Sequence, residues 1–319
     1  MALRKKFAQI AIKEEVTDGT FILASPAAGD LVPYVIPESI DVSPDIPNNE
    51  RNDALGKLAK APGVSGRRAG SISFDGYIVG GSVVAVAPAN NGVWLITGHS
   101  EVVTPTTGPV TYTRSATDTT GYSIAALIDG IMYGLAGARA TWNWTMTSGG
   151  LISYSCTVTG LWVPPTDVAI VTPAGPITLI PQKFMGATIT LVGDTAAVLQ
   201  EMTLDWQNEV TVREDASAAD GTAGAALTDA RMVGTANPEA VLIASEDRYQ
   251  DWIDDTLATV TFSTGAGAGN VMTFTAPEAR YTGISHGDRG NFLTQECEFE
   301  IVDSDVAAAE GLDFSVVFA

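Results

Sequence analysis

Residues 129–166 read DGIMYGLAGARATWNWTMTSGGLISYSCTVTGLWVPPT. From Arg139 the side chains alternate: Ala140, Trp142, Trp144 and Met146 fall on one side of an extended chain, and Thr141, Asn143 and Thr145 on the other. That is the period of a half-buried strand. Ser148-Gly149-Gly150 supplies a turn, after which Ile152, Tyr154, Cys156 and Val158 alternate with serines and threonines. Pro164-Pro165 lack the backbone donors that further pairing needs, so the second strand is expected to stop there. The unit is a β-hairpin with one aromatic face and one hydroxyl face, and nothing in it looks catalytic.

The rest of the chain has the same character. Its 319 residues are enough for two ordinary domains or one large all-β domain. Hydrophobic residues make up 45% and charged residues only 17%, while 32 glycines and 16 prolines punctuate at short intervals. This is strand-and-turn composition, without long amphipathic helices.

The formal net charge of -20 is unevenly placed. Residues 1–68 balance nine basic against nine acidic side chains, so residues 69–319 carry the whole excess. Such a surface repels nucleic acid phosphates and releases no counterions on approach. A protein that grips DNA is disfavoured; one that lets DNA pass without sticking is not.

Cys156 and Cys297 sit in strand-like runs with no nearby second thiol and read as small buried hydrophobes. The basic start MALRKKFAQIAIKEE has too short an apolar run for a signal peptide, and no stretch approaches a membrane span. The chain is expected to be made, and used or assembled, in a cytoplasm.

Further strands are expected at 7–12, 32–42 (an edge interrupted by Pro33 and Pro37), 71–79, 111–112 and 122–128, with a short helix in 88–98. The polar segment SPDIPNNERNDALGKLAKAPGVSGRR (43–68) reads as a long loop with one helical turn around Asp53–Lys60. After a proline-rich connector come strands at 187–192, 198–206, 241–244, 259–263, 271–275 and 292–302, with a helix at 246–257.

The two halves correspond in outline. SIDVSPDI (39–46) matches TLDWQNEV (203–210), each followed by a polar loop, and LISYSCTVTGLW (151–162) matches FLTQECEFEIVD (292–303), setting Cys156 against Cys297. The chain therefore reads as mainly β, an antiparallel β-sandwich or barrel with short helices, duplicated in tandem. The expected division is a first module at 1–165 with its long loop at 43–70, a connector at 166–181, and a second module at 182–319.

Catalytic equipment is missing from the pattern. His99 and His286, the two histidines, lie in glycine-flanked contexts and read as surface turn residues. The acidic run Glu246, Asp247, Asp251, Asp254 and Asp255 fits a solvated helix face and lacks the central glycine of a calcium loop. TGAGAGN (264–270) lacks the Gly-Lys-Ser/Thr ending of a phosphate-binding loop and reads as a hairpin turn. No catalytic residue, cofactor site or metal site is assigned.

The order KEEVTDGT, RRAGSISFDGYIVGG, VWLITGHSE, VTYTRS, the hairpin of residues 129–166 and TLDWQNEV resembles the major tail tube proteins of long-tailed, siphovirus-like bacteriophages. The chain departs from the family pattern at Ala140-Thr141, where Gly-Asn often follows Gly-Ala-Arg. The resemblance implies a structural virion protein, not an enzyme, whose β modules form rings that stack into a tube conducting genomic DNA. It implies a virion-tail location after assembly in the host cytoplasm, and as partners itself and other tail proteins such as the tape measure, terminator and distal tail protein. Double-stranded DNA would pass transiently and without sequence preference, and no membrane partner is implied.

On this reading Thr141, Trp142, Asn143, Trp144, Tyr154, Cys156, Phe274 and Cys297 belong to the tube-wall hairpins, the hydroxyl face toward the lumen and the aromatic face toward the module's own core. The basic cluster Arg51, Lys57, Lys60, Arg67 and Arg68 is the candidate contact with a neighbouring ring. Two modules per chain predict a trimeric, pseudo-hexameric ring, stacked helically, in place of a true hexamer. The alternative function is a phage decoration or receptor-binding β-sandwich, which would form a discrete oligomer and not a tube.

Overall fold

Strong alternation in a long hairpin can be satisfied only if one face finds a core, and the chain supplies that core from both of its halves. The structure is a computed structural model that describes residues 4–51, 53–54, 58–106, 108–115, 120–173, 179–303 and 313–319. Up to residue 173 the elements are β1 (Ala8–Glu14), β2 (Leu31–Val32), β3 (Asp41–Asp45), β4 (Asn48–Arg51), β5 (Ala61–Ser65), β6 (Ala69–Tyr77), α1 (Asn91–Ile96), β7 (His99–Val103), β8 (Val110–Arg114), β9 (Tyr122–Ile128), β10 (Ile131–Thr147) and β11 (Ser153–Asp167). Then come β12 (Thr188–Thr190), β13 (Leu199–Asp205), β14 (Asn208–Glu214), β15 (Thr222–Ala230), β16 (Met232–Pro238), α2 (Arg248–Ile253), β17 (Ala258–Thr264), β18 (Met272–Arg289), β19 (Phe292–Ile301) and β20 (Ser315–Phe318). The protein is mainly β, an antiparallel β-sandwich with few short helices.

Eight strands form one antiparallel wall in the order β3-β6-β11-β10-β13-β16-β19-β18. From the first half of β10 the pairing continues to β9, β1 and β2, and from the first half of β18 to β17 and β12. Two strand sets thus share one order: β1-β9-β10-β11-β6-β3 and β12-β17-β18-β19-β16-β13. Each set carries an inserted hairpin, β4–β5 or β14–β15, and a short helix, α1 or α2, at the same point in its chain order. β20 pairs with β18 on one side and with β8 on the other, tying the sets together.

Register shifts interrupt the long strands between Leu135 and Ala138 in β10 and between Tyr281 and Gly283 in β18. Such bulges bend a strand. They let the outer strands fold back over the buried face of the wall, where Trp94, Trp142, Trp144 and Trp206 pack with Tyr112, Phe314 and Phe318. Trp94 stacks on Tyr112 at 4.7 Å between ring centroids and meets Trp142 edge-on at 4.8 Å.

Several sequence-based expectations need correction. β11 does not end at Pro164-Pro165 but runs to Asp167; the prolines fall at an irregularity, with Gly134 paired to Val163 and Met132 to Thr166, so neither is asked for a ladder bond. The segment 43–68 is in large part strand, the exposed hairpin β4–β5 with ends attached to β3 and β6; of Asp53–Lys60, Leu55, Gly56 and Lys57 lie outside the described residues and the described ones are not helical. The polar stretch after β13 is likewise the hairpin β14–β15. Val241–Ala244 is not strand, and the helix expected at 246–257 is reduced to Arg248–Ile253, capped by the Asp247 side chain on Gln250 N and followed by Asp255 at φ +51°. Propensity favoured a longer helix there; the buried ion pair of Arg248 with Asp194, at 2.5 Å, fixes where it starts.

Because Trp142 contacts five other aromatic rings in the shared core, Trp142→Ala is expected to lower unfolding free energy by about 3–5 kcal/mol in denaturant titration. A loss below about 1 kcal/mol would mean that the cluster does not hold the two strand sets together.

Candidate functional site

The wall's second face is the candidate site, and it follows from the period-two pattern one strand at a time. Ile72 and Phe74 of β6 are buried, which turns Ser71, Ser73 and Asp75 outward. Tyr154, Cys156 and Val158 of β11 are buried, leaving Ser153, Ser155, Thr157 and Thr159. In β10, Thr141, Asn143 and Thr145 lie opposite Trp142, Trp144 and Met146. β13 presents Glu201, Thr203 and Asp205, and β19 presents Glu296, Glu298 and Glu300.

Cross-strand pairing aligns these side chains in rows. One row runs Asp75, Ser155, Asn143, Asp205, Val233, Glu300, and the next Ser153, Thr145, Thr203, Thr235, Glu298. The Thr203 and Thr235 hydroxyls sit 2.7 Å apart across β13 and β16. The face grades from hydroxyl-rich in the first strand set to glutamate-rich in the second.

The few cations near this face are neutralised locally. Arg280 Nε donates to Glu300 Oε1 at 2.7 Å, and Arg231 Nη2 lies 2.9 Å from Glu300 Oε2. Arg289 pairs with Glu239 at 2.5 Å. Burial works against the Glu300 carboxylate, but its bonds to Arg280 and the charges of Arg280 and Arg231 outweigh it and hold its pKa below the ordinary range. The arginines therefore offer little free charge to a polyanion.

The structure divides the tube-wall candidates between the two faces. Thr141 and Asn143 are on the polar face; Trp142, Trp144, Tyr154, Cys156 and Cys297 are buried behind it. Phe274 is buried as well, stacked on Phe262 at 5.3 Å beside β20, away from the polar rows. The strands expected at 71–79 and 198–206 are β6 and β13, while β16 was not expected; the polar residues of all three went unassigned, and the alternation Glu296, Glu298, Glu300 in β19 was the available signal.

The basic candidates gather around the β4–β5 hairpin. Arg51 pairs with Asp53 at 2.5 Å and Lys60 with Glu50 at 2.9 Å, both exposed. At the base of the hairpin Arg67 reaches Glu214 (3.0 Å) and Asp45 (3.4 Å), and Arg68 reaches Asp220 (2.8 Å). Lys57 lies outside the described residues. The companion hairpin β14–β15 lies on the first strand set: Asn208 Nδ2 donates to Thr97 O (2.9 Å) and Ala140 O (3.1 Å). Gly137 and Gly224, both at positive φ, meet backbone to backbone there, and a Cβ on Gly137 would come within 2.9 Å of the Gly224 Cα.

His99 is not a surface turn residue. It is buried among Trp94, Trp142, Trp206 and Phe314, with Nδ1 3.0 Å from both Thr97 Oγ1 and Trp94 O. Burial, with a contribution from Arg114, depresses its pKa from 6.5 to about 3. The glycine beside it misled the sequence reading, because Gly98 closes α1 at φ +83° and sends the next residue inward.

The molecule is thus a long antiparallel wall with one face buried, the other hydrophilic and two projecting hairpins. The chain belongs to the phage tail tube protein family: the family's model matches residues 8–301, nearly the whole chain. A search of curated proteins gives no match. Membership makes this a structural component of the virion tail that assembles into a multimer together with other tail proteins.

A histidine whose folded pKa is depressed stays neutral while the unfolded chain takes up a proton, so its contribution is present above pH 6.5 and is lost as pH falls toward 3. Unfolding free energy should therefore decline between about pH 7 and pH 5, before most carboxylates titrate. His99→Leu should flatten that segment of the denaturant-midpoint profile; an unchanged slope would show that His99 is not the group responsible.

Proposed function

We propose that this chain builds the rings of a phage tail tube and that the polar face of its wall lines the lumen through which genomic double-stranded DNA passes. One observation carries the reading: the wall is open at both ends. β3 has a strand partner, β6, on one side, and the second half of β18, from Ile284 to Arg289, has β19 on one side; among the described residues no strand covers either outer edge. Inside the chain, the corresponding half of β10 is covered by β13 of the other set. Applying that junction between copies puts β3 of one copy on β18 of the next, and removes edges that would otherwise aggregate.

The repeated strand order supports two modules per chain, 1–165 and 182–319, with 166–181 as the connector. Carrying the internal register across pairs Ser285 with Ser43 and Gly287 with Asp41 of the neighbour. Strand register sets Pro44, and not the Val42 of the sequence match, where Trp206 stands in the internal junction, and Trp206 N there donates to Trp142 O at 3.2 Å, so the junction between copies makes that bond fewer.

Geometry separates three copies from six. Strands ~4.8 Å apart and tilted by ~40° occupy ~6 Å of circumference each, so three eight-strand walls close a barrel ~45–50 Å across the backbone. That leaves room for side chains and a DNA duplex. Six chains would double it, so the trimeric, pseudo-hexameric ring is favoured over the true hexamer.

A hydroxyl- and carboxylate-lined lumen with its arginines already paired repels phosphate and offers no counterion release, so DNA slides without being held. The basic hairpin β4–β5, with Arg51 and Lys60 beyond its base and Lys57 between them in sequence, is the reading's contact with the adjacent ring in a helical stack. Arg67 and Arg68 brace its base against Asp45, Glu214 and Asp220. Assembly in the host cytoplasm, with tape measure, terminator and distal tail proteins as neighbours and no catalytic step, completes the reading.

Purified protein concentrated under the electron microscope is expected to show stacked rings or tubes; a discrete oligomer that never polymerises, with tail components present, would overturn the reading in favour of a decoration or receptor-binding protein. The lumen assignment has its own test. Glu296→Lys combined with Glu298→Lys should leave tubes intact while lowering DNA ejection or infectivity on the order of tenfold or more, because added lumenal cations retain phosphate. Unchanged ejection from intact tubes would place these residues elsewhere.

A further inference from the structure

The two strand sets are joined by a second link besides β13 on β10. The extended segment Gln182–Phe184 lies along the β10–β11 turn: Gly149 N donates to Phe184 O (2.9 Å), Phe184 N to Gly150 O (3.0 Å), Ile152 N to Gln182 O (2.8 Å) and Gln182 N to Ile78 O (2.8 Å). Lys183 stands opposite Leu151 as an antiparallel bridge. Phe184 is buried, edge-on to Phe262 at 6.2 Å, and Ile152 is fully covered. Five residues after Phe184 the chain reaches Ile189 of β12, paired with Phe262 of β17.

The second turn, between β18 and β19, is built in the same way and lacks this cover. Ala240 N donates to Leu293 O at 2.9 Å, as Ile78 N donates to Ile152 O at 3.0 Å. Yet Phe292 is 66% exposed and Leu293 53%, and among the described residues none bridges Phe292 as Lys183 bridges Leu151. Gly290 and Asn291 at the turn both have positive φ and hold it tight.

A segment of matching construction precedes β1, which pairs with β9 as β12 pairs with β17. Lys6-Phe7 stands directly before β1, and Lys183-Phe184 stands before β12 with three residues between. Phe7 is 46% exposed, and its ring is faced by the Arg4 guanidinium at 5.9 Å. In the single copy this segment is one 3-10 turn, with Phe7 N on Arg4 O (3.2 Å) and Arg4 N on Asp129 Oδ2 (2.7 Å). Its cations Arg4, Lys5 and Lys6 complement the Asp288, Glu239 and Glu296 carboxylates around the second turn, where Arg289 already pairs with Glu239.

We propose that Arg4–Phe7 of one copy opens from its 3-10 turn and lies along the β18–β19 turn of the next copy, with Lys6 opposite Phe292 and Phe7 covered at the junction. The proposal rests on the ring reading above, since it carries the link between strand sets inside the chain over to the link between chains. It gives each chain a latch on its neighbour in addition to the paired wall strands, and it covers two of the exposed apolar side chains, Phe7 and Phe292.

The bonds at Gly150–Phe184 and Ile152–Gln182 flank Leu151 and Lys183, which makes them a non-hydrogen-bonded pair, the closely spaced kind that accepts a disulfide. Lys6→Cys with Phe292→Cys should therefore cross-link neighbouring copies in preformed tubes under mild oxidation, ending in a covalently closed ring on a non-reducing denaturing gel. Leu151→Cys with Lys183→Cys is the control and should close within one chain, leaving its mass unchanged; both native cysteines are buried and should stay silent. Phe7→Asp should raise the concentration needed for assembly on the order of tenfold with an unchanged melting temperature of the free chain, and Phe7→Leu should restore it. Intact tubes in which the control pair links and the Lys6→Cys, Phe292→Cys pair does not would overturn the latch and leave the ring reading standing. A wild-type chain that forms neither rings nor tubes would overturn the ring reading and the latch with it.

Discussion

Everything in this fold depends on strict alternation along eight paired strands. Because successive side chains on a strand point to opposite faces, a wall can be wholly apolar behind and wholly hydrophilic in front only if register is kept across every pair. The rows Asp75 to Glu300 and Ser153 to Glu298 show register kept through five strand boundaries in the first and four in the second. A slip of one residue would turn hydroxyls or carboxylates toward the core. The buried rings of Trp142 and Trp144 from β10 and of Trp206 just after β13 make such a slip costly, so the core specifies the chemistry of the polar face although it never touches it.

The same wall sets where the charged groups stand. Glu300 is paired across strands with Arg231 and Arg280 and His99 is buried neutral, while Glu201, Glu296 and Glu298 stay exposed on the polar face. A surface meant to touch DNA without holding it needs hydroxyls for hydration, carboxylates for repulsion and no unpaired cation. Family membership establishes the structural tail role, and the distribution of charge across the wall is what joins that role to DNA passage in the proposal.

Much of this was legible in the sequence because the signals were long and local. The hairpin 131–167 spans more than a dozen residues per strand, enough for period two to be read without ambiguity, and the Cys156–Cys297 correspondence matches the places the two residues hold in β11 and β19. What escaped was set by long-range context. The polar runs 43–68 and 207–231 look like loops because β4, β5 and most of β14 and β15 lack a buried face, and their strands exist through pairing with each other. β20 has only four residues and depends on β8 and β18, which lie 200 and 40 residues away in round terms. His99 and the shortened helix α2 were decided by burial, which local composition does not record.

In the proposed tube the polar face closes on itself around a lumen, two strand sets per chain. A reconstruction of assembled tubes at strand-resolving detail should then show three chains per ring, β3 of each paired with β18 of the next, and Thr145, Thr203 and Glu298 facing the channel. Six chains per ring, or a channel lined by any other face of the molecule, would contradict the proposal.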